Sequence, residues 1–170
     1  MTENETYELN KYFMKAAIEE AANSYQMGEV PVGAVIVKNN KIISASSNSV
    51  EKDLSSVMHA EIKAIMSAQK ILNSWRLSGC TLYVTLEPCL MCCGAIILSR
   101  MDKVIYAADD PKAGAVNSLY NTLSDKRLNH NPEILSGILK EESSFLLKKF
   151  FQSKRNKENR INGAHNQERF

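Results

Sequence analysis

His59-Ala60-Glu61 and Pro88-Cys89-Leu90-Met91-Cys92 constrain this chain more than any other feature. One imidazole and two thiols make a soft donor set that suits zinc. A single ion can use all three only if residues 59–61 and 88–92 meet in space. Three protein ligands leave the fourth tetrahedral position to water, and a catalytic zinc needs such an opening. Cys89 and Cys92 are three apart, so at a helix start both sulfurs face one point. Pro88 suits the entrance to that helix. His59 and Glu61 are two apart, so they can flank one ligand only within a first helical turn. There Glu61 is placed to carry protons as a general acid and base. The plainer alternative for Glu61 is an acidic residue complementing a helix N-terminus. The plainer alternative for the metal is a closed structural zinc, which needs a fourth protein ligand. Cys93 turns about 100° away from Cys92 on a helix. Cys80 lies at the far end of the preceding strand, roughly 15 Å off. Both read as buried thiols.

Apolar and polar periodicity places the motifs. Met14, Ala17, Ile18, Ala21 and Tyr25 form one stripe of a helix over about Tyr7 to Met27, which Gly28 ends. Val30 to Val37 is β-branched and apolar. Asn39-Asn40 then makes a tight turn, and Lys41 to Ser46 returns as the hairpin partner. Asn48 to Val57 is a polar loop and His59 to Leu72 a helix. Strands follow at Thr81–Thr85, Lys103–Ala108 and Glu133–Gly137, with an apolar helix at Leu90–Ser99 and a closing helix over Leu139–Lys154. The alternation predicts an α/β fold, a three-layer α/β/α sandwich with a mixed sheet of about five strands. Its hairpin is antiparallel and its later crossover parallel and right-handed. Site residues should gather where helices begin beyond strand ends.

The length of 170 residues suits one domain, read as residues 1–156, followed by a flexible basic tail over 157–170. At 44% hydrophobic residues, disorder of the whole chain is excluded. No segment has the apolar length of a membrane span, and the polar N-terminus lacks a signal-peptide pattern. A reducing cytoplasm is therefore expected, and Cys80, Cys89, Cys92 and Cys93 read as ligands and free thiols rather than disulfides. The net charge of +2 is small, but residues 148–170 hold seven basic and two acidic side chains. Such a tail attracts phosphates, or else is simply solvated.

Several runs resemble the bacterial tRNA-specific adenosine deaminase family within the cytidine-deaminase-like zinc superfamily. The His59/Glu61 and Pro88-Cys89 pair marks the superfamily. Glu29–Val35, Thr81–Cys89, Asn129-His130 and Phe150-Phe151 also match, and the Thr85-Leu86-Glu87-Pro88-Cys89 run with the later Lys112 and Gly114-Ala115 narrows the resemblance to the tRNA branch. The resemblance covers roughly residues 7–155. It implies hydrolytic deamination of adenosine to inosine at the wobble base of a tRNA anticodon stem-loop. It also implies one Zn2+ per subunit of a homodimer, held by His59, Cys89 and Cys92, with Glu61 catalytic. Val30, Asn48 and Leu86 would line the base pocket, and backbone groups of Glu87-Pro88 would fix the ring. Asp110 and Lys112 would meet the RNA backbone, and His130, Phe151, Lys154 and Arg155 are further RNA candidates. Departures from the family pattern are Ser55–Met58 before the His-Ala-Glu, Cys93, Asp109, and Gln152 in place of an Arg. Two other readings stand beside this one. The first is a deaminase of a free base or nucleoside such as guanine or cytosine. The second is a catalytically silent RNA-binding zinc protein.

Overall fold

The structure, a computed structural model, describes residues 2–167, with side chains through residue 157 and at residue 159. Helix α1 (Glu3–Gln26) opens on a capping box: the Glu5 N–H donates to the Thr2 hydroxyl, and the Thr2 N–H donates to the Glu5 carboxylate. Strands β1 (Gly33–Lys38) and β2 (Lys41–Ser47) form the expected hairpin. Asn39 and Asn40 at its tip have φ of 50° and 58°, the left-handed pair of a type I′ turn. Then come α2 (Ala60–Ile71), β3 (Cys80–Leu86), α3 (Leu90–Leu98), β4 (Lys103–Ala108), a 3₁₀ turn at Thr122–Ser124, β5 (Glu133–Ser136) and α4 (Lys140–Gln167).

The sheet order is β2-β1-β3-β4-β5. Strand β1 is antiparallel to both neighbours, while β3, β4 and β5 run parallel. This is the five-stranded mixed sheet expected from the sequence. Side-chain parity divides the core in two. Ala34, Ile36, Leu82, Val84, Val104 and Tyr106 pack against α2 and α3. Val35, Val37, Tyr83, Ile105 and Ala107 pack under α1, with Ile138 just ahead of α4. Both faces are covered, so these strands are apolar throughout rather than alternating.

Three boundaries differ from the sequence expectation by more than two residues, the first being α1, whose capping box starts it at Glu3 rather than about Tyr7. Residues 30–32 precede the sheet instead of belonging to β1, because their backbone turns along the rim of the site described below. Helix α4 continues past Lys154 to Gln167, since nothing in its polar stretch breaks a helix: no Pro lies there, and Gly163 alone is permissive. Residues 168–170, and the tail side chains from Arg160 onward, lie outside the described residues.

Register brings the site together. Gly33 pairs with Ser47 and Ala34 with Val84, so the start of β1, the end of β2 and the end of β3 share one edge of the sheet. Leu86 pairs with Ala108 in β4, adding the loop that follows it. Helix α1 crosses this edge so closely that a Cβ on Gly33 would strike the Ala17 carbonyl oxygen and the Ala21 nitrogen. Gly33→Ala is therefore expected to destabilise the fold by about 1–3 kcal/mol, read as a lowered midpoint of urea unfolding with an unchanged slope.

Candidate metal centre and active site

His59 is the N-cap of α2 and Cys89 the N-cap of α3, and neither side chain bonds its own helix. Both are therefore free to point at a shared position in front of two helix N-termini. Cys92 lies one turn into α3 and is fully buried. The His59 Nδ1 atom is 3.7 Å from Cys89 Sγ and 3.6 Å from Cys92 Sγ. All three donor atoms lie within 4.8 Å of one another. Tetrahedral bonds of about 2.0–2.1 Å to nitrogen and 2.3 Å to sulfur call for an N–S separation near 3.6 Å, so the donor set fits a metal without rearrangement. A hydrogen bond from Cys92, helped by His59, holds the Cys89 thiol far below its ordinary range. The same bond and burial push Cys92 up. Cys93 is turned away, its sulfur directed at the Pro88 carbonyl oxygen 3.7 Å off.

Glu61, in the first turn of α2, is 3% exposed. Burial raises its carboxyl above the ordinary carboxylate range. Among the described residues its Oε2 is the one buried side-chain oxygen or nitrogen without a hydrogen-bond partner. Glu61 lines a cavity of about 320 Å³ together with His59, Cys89, Val30, Asn48 and Leu86. An isolated buried acceptor is costly unless something meets it, so the site is built to hold a further polar group.

Two buried carboxylates shape the cavity walls. Glu87 follows β3, and its oxygens accept the N–H groups of Asp110, Val116, Asn117 and Ser118 at 2.7–3.0 Å, together with the Ser118 hydroxyl. Burial opposes its ionisation, but the Asn117 and Ser118 hydrogen bonds outweigh burial and hold its carboxyl below the usual range. Gly114 lies so near this carboxylate that a Cβ would strike it. On the other wall, Glu29 is 2% exposed and accepts the N–H groups of Glu51 and Lys52 at 3.2 and 2.7 Å. Lys63, one turn beyond His59, donates to the Ser47 carbonyl oxygen and the Ser49 hydroxyl.

The structure gathers most of the residues singled out in the sequence. His59, Glu61, Cys89, Val30, Asn48, Leu86, Glu87 and Asp110 all line the cavity. Asn48 is 6% exposed; its side-chain amide makes no hydrogen bond to the described residues but, unlike Glu61 Oε2, is not closed off, since Asn48 lines the cavity. The Glu87-Pro88 backbone is largely spoken for: the Glu87 N–H donates to Ala108 and the Pro88 carbonyl accepts from Ala115. The Glu87 side chain adds the wall contacts described above. Asp110 folds its own turn, accepting the N–H groups of Lys112 and Ala113.

A cleft of about 510 Å³ opens beside the cavity, sharing Val30, Leu86 and Asp110 with it. Lys112, Phe151 and Arg155 line it, as do Lys148 and Gln152. His130 and Lys154 lie elsewhere. The His130 ring is tied to the Met101 carbonyl oxygen at 2.6 Å, and Lys154 sits over the Phe150 ring. Asp109, a departure from the family pattern, is paired with Lys140 at 2.5 Å. Sequence reasoning missed the roles of Glu29 and of the Glu87 side chain. Lys148 counted in the sequence only as one of the basic residues from 148 onward, although its spacing from Phe151, Gln152 and Arg155 is the helical signal that marks a shared face.

The sequence profile of the MafB19-like deaminases matches residues 8–155. A tRNA-specific adenosine deaminase of Bacillus subtilis (strain 168) is 48% identical over 157 residues, covering 92% of this chain and 94% of that protein. The chain belongs to this deaminase family. Among solved structures, a tRNA:A34 deaminase studied for A-to-I editing is 40% identical with a TM-score of 0.78, covering 80% of this chain and 99% of that one. A guanine deaminase from Bacillus subtilis is 38% identical with a TM-score of 0.56, covering 64% of this chain and 66% of that one.

In this deaminase, Glu87→Gln replaces one acceptor oxygen by a donor facing backbone N–H groups. The expected cost is about 1–3 kcal/mol of stability. Faster amide hydrogen exchange at residues 116–118 is the accompanying readout. A second test concerns the donor set. Cys92→Ser is expected to lower bound metal from one equivalent to a small fraction, measured by elemental analysis after dialysis.

Proposed function

We propose that this chain hydrolyses adenosine to inosine at the wobble position of tRNA anticodons, with one zinc ion per subunit held by His59, Cys89 and Cys92. The observation that carries this reading is Glu61: a buried, unpartnered carboxylate oxygen beside a three-donor set in a base-sized cavity. The relatives named for tRNA adenosine deamination support the choice of substrate. We assign the deaminase unit to residues 1–156 and a basic tail to 157–170.

Zinc supplies Lewis acidity that lowers the pKa of water from 15.7 toward about 7. The remaining chemistry belongs to the protein. Water adds at C6 of the purine. Glu61 takes one proton of that water and delivers it to the ring nitrogen, then carries the proton of the new C6 hydroxyl to the exocyclic amine, so that the C6–N bond breaks, ammonia departs and C6 becomes a carbonyl. Val30 and Leu86 flank the base, and the Asn48 amide offers a donor and an acceptor to its edge. A base reaches this cavity only when unstacked and splayed from its loop. The adjoining cleft then receives neighbouring nucleotides. Lys112, Lys148 and Arg155 meet phosphates there, and Phe151, 45% exposed, offers a ring for stacking. A free base would leave this cleft unused.

The reading places the enzyme in the cytoplasm as a homodimer. Among the described residues no helix is long and apolar enough to cross a membrane. Met66 of α2 and Leu90 and Leu98 of α3 are exposed, as are Leu54 and Val57 of the loop before α2, and these apolar side chains are the candidates for covering by a second copy.

Purified protein is expected to convert adenosine to inosine in an anticodon stem-loop and to leave free adenosine, cytidine and guanine essentially untouched. Turnover of the free compounds alone would overturn the assignment. Glu61→Ala should lose at least 10³-fold in kcat, on the order expected for a lost general acid–base, while keeping its metal. Affinity for the stem-loop should fall with rising salt. With three cleft cations in contact, the slope of log K against log salt is about −2, and Arg155→Ala should flatten it by about 0.7. A slope of zero would contradict the electrostatic role of the cleft.

A further inference from the structure

Glu29 is a buried carboxylate that takes no part in the chemistry described above. It follows Gly28, whose φ of +78° ends α1, and its N–H donates back to the Ser24 carbonyl oxygen. The helix end therefore fixes where its side chain starts. That side chain reaches across to the loop after β2 and accepts two consecutive backbone N–H groups, of Glu51 and Lys52. The same loop carries Asn48. The Asn48 N–H donates to the Val32 carbonyl oxygen, and its own carbonyl accepts from the Ser24 hydroxyl. Asn48 is thus held through its own backbone by Ser24 and Val32, its neighbours Ser47 and Ser49 are tied to Lys63 and Ser49 also to Met58, and the next stretch of the loop is held by Glu29 through residues 51–52.

We propose that Glu29 is a positioning residue for substrate recognition: its carboxylate anchors the Glu51–Lys52 amides and so aims the unpartnered Asn48 amide into the base cavity. This inference rests on the proposed function for what enters the cavity, but the anchoring itself does not. Two carboxylate oxygens, both acceptors, serve two N–H groups without conflict. A carboxamide at this position keeps one acceptor and turns a donor toward the second N–H. The loop then loses its anchor while the metal ligands and Glu61, on other elements, stay in place.

The test is a double-mutant cycle with Glu29→Gln and Asn48→Ala, using an anticodon stem-loop as substrate and metal content as a control. Glu29→Gln is expected to raise KM about tenfold with kcat changed less than threefold and metal retained. In the Asn48→Ala background the same substitution should change KM less than twofold, because the group it aims is gone. Fully additive losses, or equal losses in kcat and metal content, overturn the proposal. Should Glu29→Gln not fold, Glu29→Asp, which keeps the charge but shortens the reach, runs through the same cycle with the same criteria. Amide hydrogen exchange at Glu51 and Lys52 needs no substrate and should quicken at least tenfold in either variant. Protection unchanged there overturns the anchor. Faster exchange together with a wild type inactive on the stem-loop would instead indict the substrate assignment.

Discussion

Everything at this site depends on two helices beginning at the same point. Ordinarily an N-cap side chain satisfies its own helix. Here the caps of α2 and α3 are His59 and Cys89, and both turn outward to a common centre with Cys92. The sheet makes this possible, because β3 delivers the chain to the start of α3 beside β1. The loop that leaves β2, the strand paired with β1, leads to α2. The positive ends of two helices favour anionic sulfur at that place. A metal then has its donors ready, and the fold needs no ordering step to assemble them.

Around the donors, the protein places acids according to what each must bind. Glu87 and Glu29 have their oxygens engaged by backbone N–H groups, four and two respectively, and serve as fixed posts for the two cavity walls. Glu61 is as buried as either, yet Oε2 is left unmet. The same residue type thus has a structural role where amides converge on it and a chemical one where they do not. Asn48 follows the same logic among amides, with its backbone bonded and its side chain spare.

Much of this was legible in the sequence because it was written in residue type and spacing. Three-residue spacing of Cys89 and Cys92, two-residue spacing of His59 and Glu61, and the apolar runs of β1, β3 and β4 each carry a geometric meaning. Asn39-Asn40 announced the hairpin because few residues accept a left-handed φ. What stayed hidden depends on partners without side-chain identity. Glu29 and Glu87 bond to backbone N–H groups, which every residue but proline possesses, so no pattern flags them. Gly33 and Gly114 matter through the absence of a Cβ against a neighbour found only in three dimensions. His130 and Phe151 looked equivalent as polar or aromatic candidates for RNA, yet one ring is tied to the Met101 carbonyl and the other borders the cleft. The length of α4 escaped because a polar stretch without proline reads equally as tail or as helix.

X-ray absorption at the zinc edge of the purified protein tests the central claim most directly. The account predicts two sulfur scatterers at about 2.3 Å and two light scatterers at about 2.0–2.1 Å, only one of them an imidazole. A third sulfur, a second imidazole or an absence of zinc would show that the centre is closed or empty, and the account would be wrong.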